Sequence, residues 1–294
     1  MQGSESSLEF LPCIDSEQMA AERKQELDIP RSRAAALGVT ALEATMRGFY
    51  LNARGEKVDL SQLVSSSQSR KRSLPPDVVL PAATPAANRV TRVQVSNQST
   101  LRAASELTAR GHRPLALNFA NGVNPGGGFL GGARAQEETL CRSSALYATL
   151  VDDPMYGFHG KRPLPDSTDW VIYSPDVPVF RDEYGGELDQ PWLLSFLTAA
   201  APFAPRIGQP QSGDLLERRI RRVLEVASAL GYQSLVLGAW GCGAFANDPV
   251  RTARDFRSAL ERDFRGHFAD IVFAITDWSP ERRLLGTFRD TFSN

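Results

Sequence analysis

The most reactive side chains of this sequence stand together: Gln136, Glu137 and Glu138 follow a stretch, 126–132, in which five of seven residues are glycine. A carboxyl group can give a proton to a leaving oxygen and then take one from water, provided that its surroundings hold it between charged and neutral forms. Glycine lets a backbone come within hydrogen-bonding distance of another group with no Cβ in the way. Adjacent residues of a helix project about 100° apart, so Glu137 and Glu138 cannot face each other as a pair. That excludes the usual glycosidase with two opposed carboxylates. A division of labour fits better, in which one acid moves the proton and its neighbour positions the substrate. The plain alternative is a solvated first helical turn whose acids complement the helix dipole.

The elements that position these acids follow from the flanking pattern. Leu115, Ala116, Leu117, Phe119 and Ala120 form a short apolar run suited to a buried strand. From Ala133 to Val151 there is no Gly or Pro, and Leu140, Leu146, Tyr147, Leu150 and Val151 fill more than a third of a helical wheel. The spacing predicts one substantially buried helix over 133–151. A second strand, 234–237, runs into Gly241, Cys242, Gly243, Ala244 and Phe245, and Asp248-Pro249 then sets up a helix N-terminus. Backbone amides beside a helix start make a phosphate cradle. Gly126, Gly127 and Gly128 in one loop, and Gly241, Cys242, Gly243 and Ala244 in the other, are thus candidate contacts to a diphosphate, although either loop alone reads equally as a tight turn between strand and helix.

Asn118, Asn121 and Asn124 flank the first loop and can bond ribose hydroxyls; Asn121 and Asn124 suit turns just as well. Thr276 lies just past the last strand, at the strand ends where open α/β sheets bind ligands. Cys242 is a poor nucleophile, with no histidine placed to activate it. His112, His159 and His267 are scattered and read as loop or helix-end residues.

Strands near 90–95, 115–120, 170–180, 192–198, 234–237 and 271–275 alternate with helices at 99–110, 212–230 and 249–264. The class is α/β, with helices on both faces of a sheet made mixed by the 170–198 pair. Upstream, 1–15 reads as disordered, 16–27 and 31–49 as helices, 50–60 as a hairpin turning at 53–55, and 65–87 as a surface linker whose basic cluster, Arg70, Lys71 and Arg72, is solvated.

Gly126–Gly128, seven further residues, then Gln136-Glu137-Glu138 resembles the signature of the poly(ADP-ribose) glycohydrolases; Asn121 to Asn124 and Thr139-Leu140 are similar to the microbial type. The resemblance implies a macrodomain-like catalytic domain over 88–294, behind an N-terminal accessory segment, 1–87, with helical elements. It implies cleavage of ribose–ribose O-glycosidic bonds, with poly(ADP-ribose) or ADP-ribosylated proteins as partners and ADP-ribose as product. Glu138 would be general acid and base, Glu137 would position the ribose, Gln136 would contact substrate, and Phe245 would lie against the ribose next to the scissile bond. Neither metal nor cofactor is implied. Two other readings share the loop: a macrodomain that binds ADP-ribose without hydrolysis, and a mono(ADP-ribosyl) hydrolase. A dehydrogenase is disfavoured, because Gly126-x-Gly128-x-x-Gly131 lacks the acid that should end a second strand about twenty residues on.

The 294 residues carry a net charge of −1 and are 42% hydrophobic. Near-neutrality argues for gripping one or two units in a pocket over tracking a polyanion, and against direct nucleic-acid binding. With residues 16–64 long enough to cover the adenine side, and with Arg31, Arg33 and Arg47 on one helix, release of single units from chain ends is expected. No apolar run is long enough to span a bilayer, no signal peptide is indicated, and three distant cysteines suit a reducing compartment. A cytoplasmic monomer is the expectation.

Overall fold

The computed structural model describes residues 7–86 and 89–293. In chain order the elements are β1 (Leu8–Phe10), α1 (Glu17–Leu27), α2 (Arg31–Arg47), β2 (Phe49–Leu51), β3 (Lys57–Asp59), α3 (Ser61–Arg70), β4 (Arg72–Leu74), β5 (Thr91–Ser96), α4 (Thr100–Ala109), β6 (Pro114–Ala120), α5 (Gln136–Ser143), α6 (Tyr147–Leu150), α7 (Pro154–Gly160), β7 (Val171–Arg181), β8 (Glu187–Ala200), α8 (Ala204–Ile207), α9 (Gln211–Ala229), β9 (Ser234–Leu237), α10 (Pro249–Arg262), β10 (Asp270–Ala274) and α11 (Arg283–Thr291), with one 3-10 turn at Phe129–Gly131. The class is mixed α/β, a large mixed sheet flanked by helices, as the sequence predicts.

The chain forms two compact units. One takes the described residues of Met1–Ala21, Asp77–Leu115 and Pro202–Asn294. Its strands run parallel, β1 on β5, β5 on β10 and β10 on β9. Strands buried on both faces read as continuous apolar runs, as Leu235-Val236-Leu237 and Ile271 to Ala274 do. The Ser99 hydroxyl caps α4 by accepting from the Arg102 amide (3.1 Å), worth about 1 kcal/mol. Asp248 caps α10 through Val250 and Arg251, with Pro249 as its first residue.

The other unit takes Glu22–Pro76 and Ala116–Ala201. Here β7 pairs antiparallel with β8 and β4 antiparallel with β7. The expected boundary at residue 87 falls on residues outside the described set, and the compact units are cut elsewhere: residues 22–76 share a unit with the glycine loop and its acids.

Several elements differ from expectation. Of the stretch read as disordered, residues 1–6 lie outside the described residues, while Leu8–Phe10 form an edge strand on β5. The stretch read as linker begins as α3 and continues as β4. Ser67 is buried, its hydroxyl donating to the Pro175 carbonyl (2.7 Å), and Leu74 is buried in register with Val171. The basic cluster there is partly paired, Arg70 to Asp176 (2.8 Å) and Lys71 to Asp153 (3.0 Å). The single helix read over 133–151 is broken. Ser144 is extended (φ −146°, ψ 173°) and bridges to Val179, with its hydroxyl bonded to the Leu140 carbonyl (2.7 Å) and the Leu146 amide (3.2 Å). A serine that offers the backbone a local partner competes with the helix, and an apolar periodicity does not register that. The sequence reading also passed over α7 and α11.

Candidate active site

The glycine loop folds around the two acids. After β6, the Asn121 side-chain oxygen accepts from the amides of Val123 and Asn124 (both 2.9 Å), closing a tight turn. Gly126 and Gly127 have φ of +70° and +60°. A Cβ at Gly126 would press on the Phe129 and Tyr147 rings at 3.1 Å; one at Gly127 would overlap Glu138 Oε1 and approach Glu137 Oε2 to 3.1 Å. Helical spacing separates the two acids at their Cβ atoms, yet both carboxylates end beside Gly127.

Each side chain of the Gln-Glu-Glu triplet has a distinct station. Gln136 accepts from the Phe119 amide (2.9 Å) and donates to the Leu117 carbonyl (2.7 Å), so it ties the start of α5 to the end of β6. Glu137, 3% exposed, accepts from the Asn121 amide at Oε2 (2.7 Å), from Asn118 Nδ2 at Oε1 (3.3 Å) and from the Gly126 amide. Asn118 also reaches Thr198 Oγ1 (3.2 Å). Burial pushes the Glu137 carboxyl up to about 8, against the pull of those donors, and the neighbouring Glu138 adds to the rise. Glu138 accepts from the Gly128 amide at Oε1 (3.0 Å), while its Oε2 is buried with no hydrogen-bond partner among the described residues. Arg142, one helical turn on, is buried, and its Nη1 and Nη2 have no hydrogen-bond partner among the described residues; burial lowers its guanidinium to about 10, and Glu138's charge opposes that fall.

The preceding segment braces this loop within the same unit. Arg31 Nε donates to the Gly131 carbonyl (2.8 Å), and a Cβ at Gly38 of α2 would stand 2.6 Å from the Phe129 carbonyl oxygen. Arg181, 3% exposed, donates to the Leu37 carbonyl (2.6 Å), the Arg142 carbonyl (3.0 Å) and Thr40 Oγ1 (2.8 Å), tying α2 to α5. Of the three arginines noted on this helix, Arg31 and Arg33 donate to the chain's own carbonyls, at Gly131 and Tyr184, and Arg47 pairs with Glu43.

The second loop, in the other unit, is built differently. Its internal bonds run from Cys242 N to Ala239 O, Ala246 N to Gly243 O and Asn247 N to Gly241 O. Asn247, 2% exposed, braces it from beneath, donating to the carbonyls of Pro202 (2.9 Å) and Gly241 (3.2 Å) and accepting from Ser212 (2.6 Å). The amides of Gly243, Ala244 and Phe245 donate to no acceptor among the described residues. Gly243 and Ala244 are exposed, and Phe245 is half-buried, edge-on to Phe203 (5.7 Å). Cys242 is buried with its thiol on the Trp240 carbonyl, and burial pushes that thiol up to about 12, which removes it as a nucleophile. In the same unit Thr276 is half-buried, beside Asp277, whose carboxylate takes the Leu284 and Leu285 amides at the start of α11.

Of the predicted residues in the unit that holds the glycine loop, Asn118, Gln136, Glu137, Glu138 and Gly126 to Gly128 come together around the acids, whereas Asn124 is exposed at the turn. Asn121, weighed as a ribose contact, serves as a turn residue and amide donor. Sequence reasoning missed Thr198, Arg142, Arg181, Asn247 and His159. Each acts through a fold-dependent partner distant in sequence or through its burial, so none carried a local pattern. Among the described residues no group of three or more His, Cys, Asp or Glu could hold a metal ion, and no helix is long and apolar enough to cross a membrane.

Comparison with known proteins gives consistent relatives. The family model described as microbial-type PARG, catalytic domain, matches residues 39–182. The crystal structure of poly(ADP-ribose) glycohydrolase from Thermomonospora curvata is similar at 39% identity and a TM-score of 0.84, over 88% of this chain and 99% of that one. The structure of that enzyme bound to the inhibitor ADP-HPD matches at 39% identity and a TM-score of 0.82, over the same shares. The Deinococcus radiodurans poly(ADP-ribose) glycohydrolase in complex with ADP-ribose matches at 38% identity and a TM-score of 0.71, over 78% of this chain and 96% of that one. None of the curated proteins compared with the chain matches it.

Proposed function

Because the chain belongs to the microbial-type poly(ADP-ribose) glycohydrolases, we propose that it cleaves the ribose–ribose O-glycosidic bond with Glu138 as general acid and base. The observation that carries this assignment is the free oxygen: Glu138 keeps Oε2 buried and unpartnered, while Glu137 is held by donors on both of its oxygens. A proton-transferring group needs one oxygen available to the reacting atom.

In this mechanism Glu138 protonates the departing ribose oxygen as the glycosidic C–O bond breaks. The electron-poor sugar carbon left behind is oxocarbenium-like, and the substrate's own diphosphate can stabilise it. Water adds to that carbon and its proton returns to Glu138, so one water is consumed and the acid is restored. Two buried neighbouring carboxyls cannot both be charged cheaply. Burial raises the Glu137 carboxyl to about 8. Glu137 then serves as the rigid, hydrogen-bonded support for the ribose.

The complexes of the relatives with ADP-ribose and ADP-HPD support ADP-ribose as the bound product. Gly241 to Phe245 is proposed as a phosphate contact on the strength of the amides of Gly243, Ala244 and Phe245, which meet no acceptor among the described residues, with Phe245 against ribose. Release of single units from chain ends, and a cytoplasmic location, belong to the proposal too. The test is incubation of the full chain with purified poly(ADP-ribose) and chromatography of the products. Free ADP-ribose is expected. Binding without release would favour a reader macrodomain, and removal of a single protein-linked unit would favour a mono(ADP-ribosyl) hydrolase.

A further inference from the structure

We propose that His159 is a positioning residue for the acid pair: it pins the Gly122 carbonyl and so fixes the turn whose amide holds Glu137. The inference rests on the role given to Glu137 above.

His159 lies in α7 and is 4% exposed. The Thr168 backbone N–H donates to its Nε2 (3.1 Å). A backbone N–H can only donate, so Nε2 carries a lone pair and the ring proton sits on Nδ1. Nδ1 stands 3.1 Å from the Gly122 carbonyl, which can only accept. One neutral tautomer therefore satisfies both ends. The Thr168 hydroxyl, 2.7 Å from Nε2, gives the ring a further polar contact, and Trp170 packs edge-on at 6.4 Å. The ring is fixed in place before it touches the turn.

The turn is equally constrained. Immediately before Gly122, the Asn121 amide donates to Glu137 Oε2 (2.7 Å). Immediately after it, the amides of Val123 and Asn124 donate back to the Asn121 side chain. Gly122 is buried, and a Cβ there would strike Ser167 Oγ and lie 3.5 Å from His159 Nδ1, so the turn rests directly on this segment. Without the imidazole N–H, a buried carbonyl loses its donor. That carbonyl shares its peptide plane with the Val123 amide, so a rotation to find another donor breaks the bond from Val123 to the Asn121 side chain and loosens the turn that presents the Asn121 amide to Glu137. The Glu137 carboxyl then shifts beside Gly127, where it shares space with Glu138.

The experiment compares wild type, Glu138→Gln, His159→Phe, His159→Asn and His159→Gln as full chains, with folding checked by thermal melting. Turnover on poly(ADP-ribose), its pH profile and calorimetric ADP-ribose affinity are read together. His159→Phe and His159→Asn are expected to lower kcat by about tenfold or more, within the ~10²-fold that a 1 Å misplacement can cost, with affinity changed by less than about threefold. His159→Gln, which can still donate to Gly122 and accept from Thr168, is expected to recover kcat to within about threefold of wild type, and the alkaline limb of the profile is expected to move in the Phe and Asn variants only. Wild-type kcat in folded His159→Phe, or in His159→Asn should the Phe variant not fold, overturns the inference. So does a parallel loss of kcat and affinity with no recovery by Gln. A wild type that releases no ADP-ribose, or a fully active Glu138→Gln, defeats the functional reading itself, and is told apart by those two controls.

Discussion

Two glycine-rich loops join strand to helix in this chain, and they use their backbone amides in opposite ways. In the first, the amides of Asn121 and Gly126 are given to Glu137 and that of Gly128 to Glu138. That loop is a cradle for the protein's own carboxylates, and Gly127 is glycine because both acids occupy the space of a side chain. In the second, the amides of Gly243, Ala244 and Phe245 find no acceptor among the described residues, and a Cβ at Gly243 would meet nothing within 4 Å. Gly243 answers to no constraint from within the described chain. The same sequence pattern thus has two physical causes, one internal and one directed outward, and substitutions can separate them.

The largest effect is expected at Glu138. Gln at this position keeps an oxygen for the Gly128 amide but cannot transfer a proton, so turnover should fall by ~10²–10⁴-fold while ADP-ribose still binds. Single-turnover release of ADP-ribose checks this, and a variant that keeps more than about a tenth of wild-type turnover contradicts the role. Next comes Gly127→Ala. It adds a Cβ at φ +60° where Glu138 Oε1 lies, so it should displace both acids and cost ~10²-fold in kcat together with a lower melting temperature. A folded variant with wild-type kcat would show that the carboxylates need not meet at this glycine.

The contrast also marks what could be read in advance. Strand, loop and acid-bearing helix were legible because apolar runs, glycines and acids are local signals. So were the caps, Ser99 and Asp248, which act within a few residues. The supports were not. Gln136, expected as a substrate contact, also ties α5 to the end of β6 through its amide. Arg181 ties α2 to α5 through residues about 140 and 40 positions away, and that distance leaves no periodicity to detect. Ser144 ends α5 by hydrogen bonds that a hydrophobic wheel does not record. The start of the stretch read as linker, 65–74, was misread because a serine such as Ser67, whose buried hydroxyl bonds the Pro175 carbonyl, resembles a linker serine until its partner is known.

The third prediction separates the two acids by pH. Burial raises Glu137 from an ordinary value near 4.5 to about 8. Between those limits the folded chain holds a proton that the unfolded chain has released, so stability falls as pH rises, at up to ~1.4 kcal/mol per unit. The stabilisation is complete below about 4.5 and is lost as pH passes through 8. Gln at 137 is neutral throughout and should flatten that slope. Urea unfolding of wild type and Glu137→Gln at pH 5 and pH 8 checks it. Equal losses in the two proteins would mean that Glu137 is charged in the folded state. Turnover of Glu137→Gln should also fall, through lost ribose support.

The smallest effect is expected at Gly243, and it tests the outward-facing loop most directly. Gly241 is a poor probe: its φ of +77° makes any side chain strained, so a loss of binding there could come from the backbone alone. Gly243 has no such strain and open space around its Cβ position. Val at 243 should therefore leave stability within about 0.5 kcal/mol of wild type, as surface substitutions away from special backbone usually do. If the free amides of 243–245 receive a phosphate, the added isopropyl group blocks the approach. ADP-ribose affinity should then fall by about tenfold, ~1.4 kcal/mol, close to the lower end for a hydrogen bond to a charged group. Calorimetry at matched ionic strength measures this, and the same titration with Gly127→Ala supplies the contrast, since there the loss should appear in turnover first. An unchanged affinity in folded Gly243→Val would take the second loop out of the binding site and leave its glycines as ordinary turn residues.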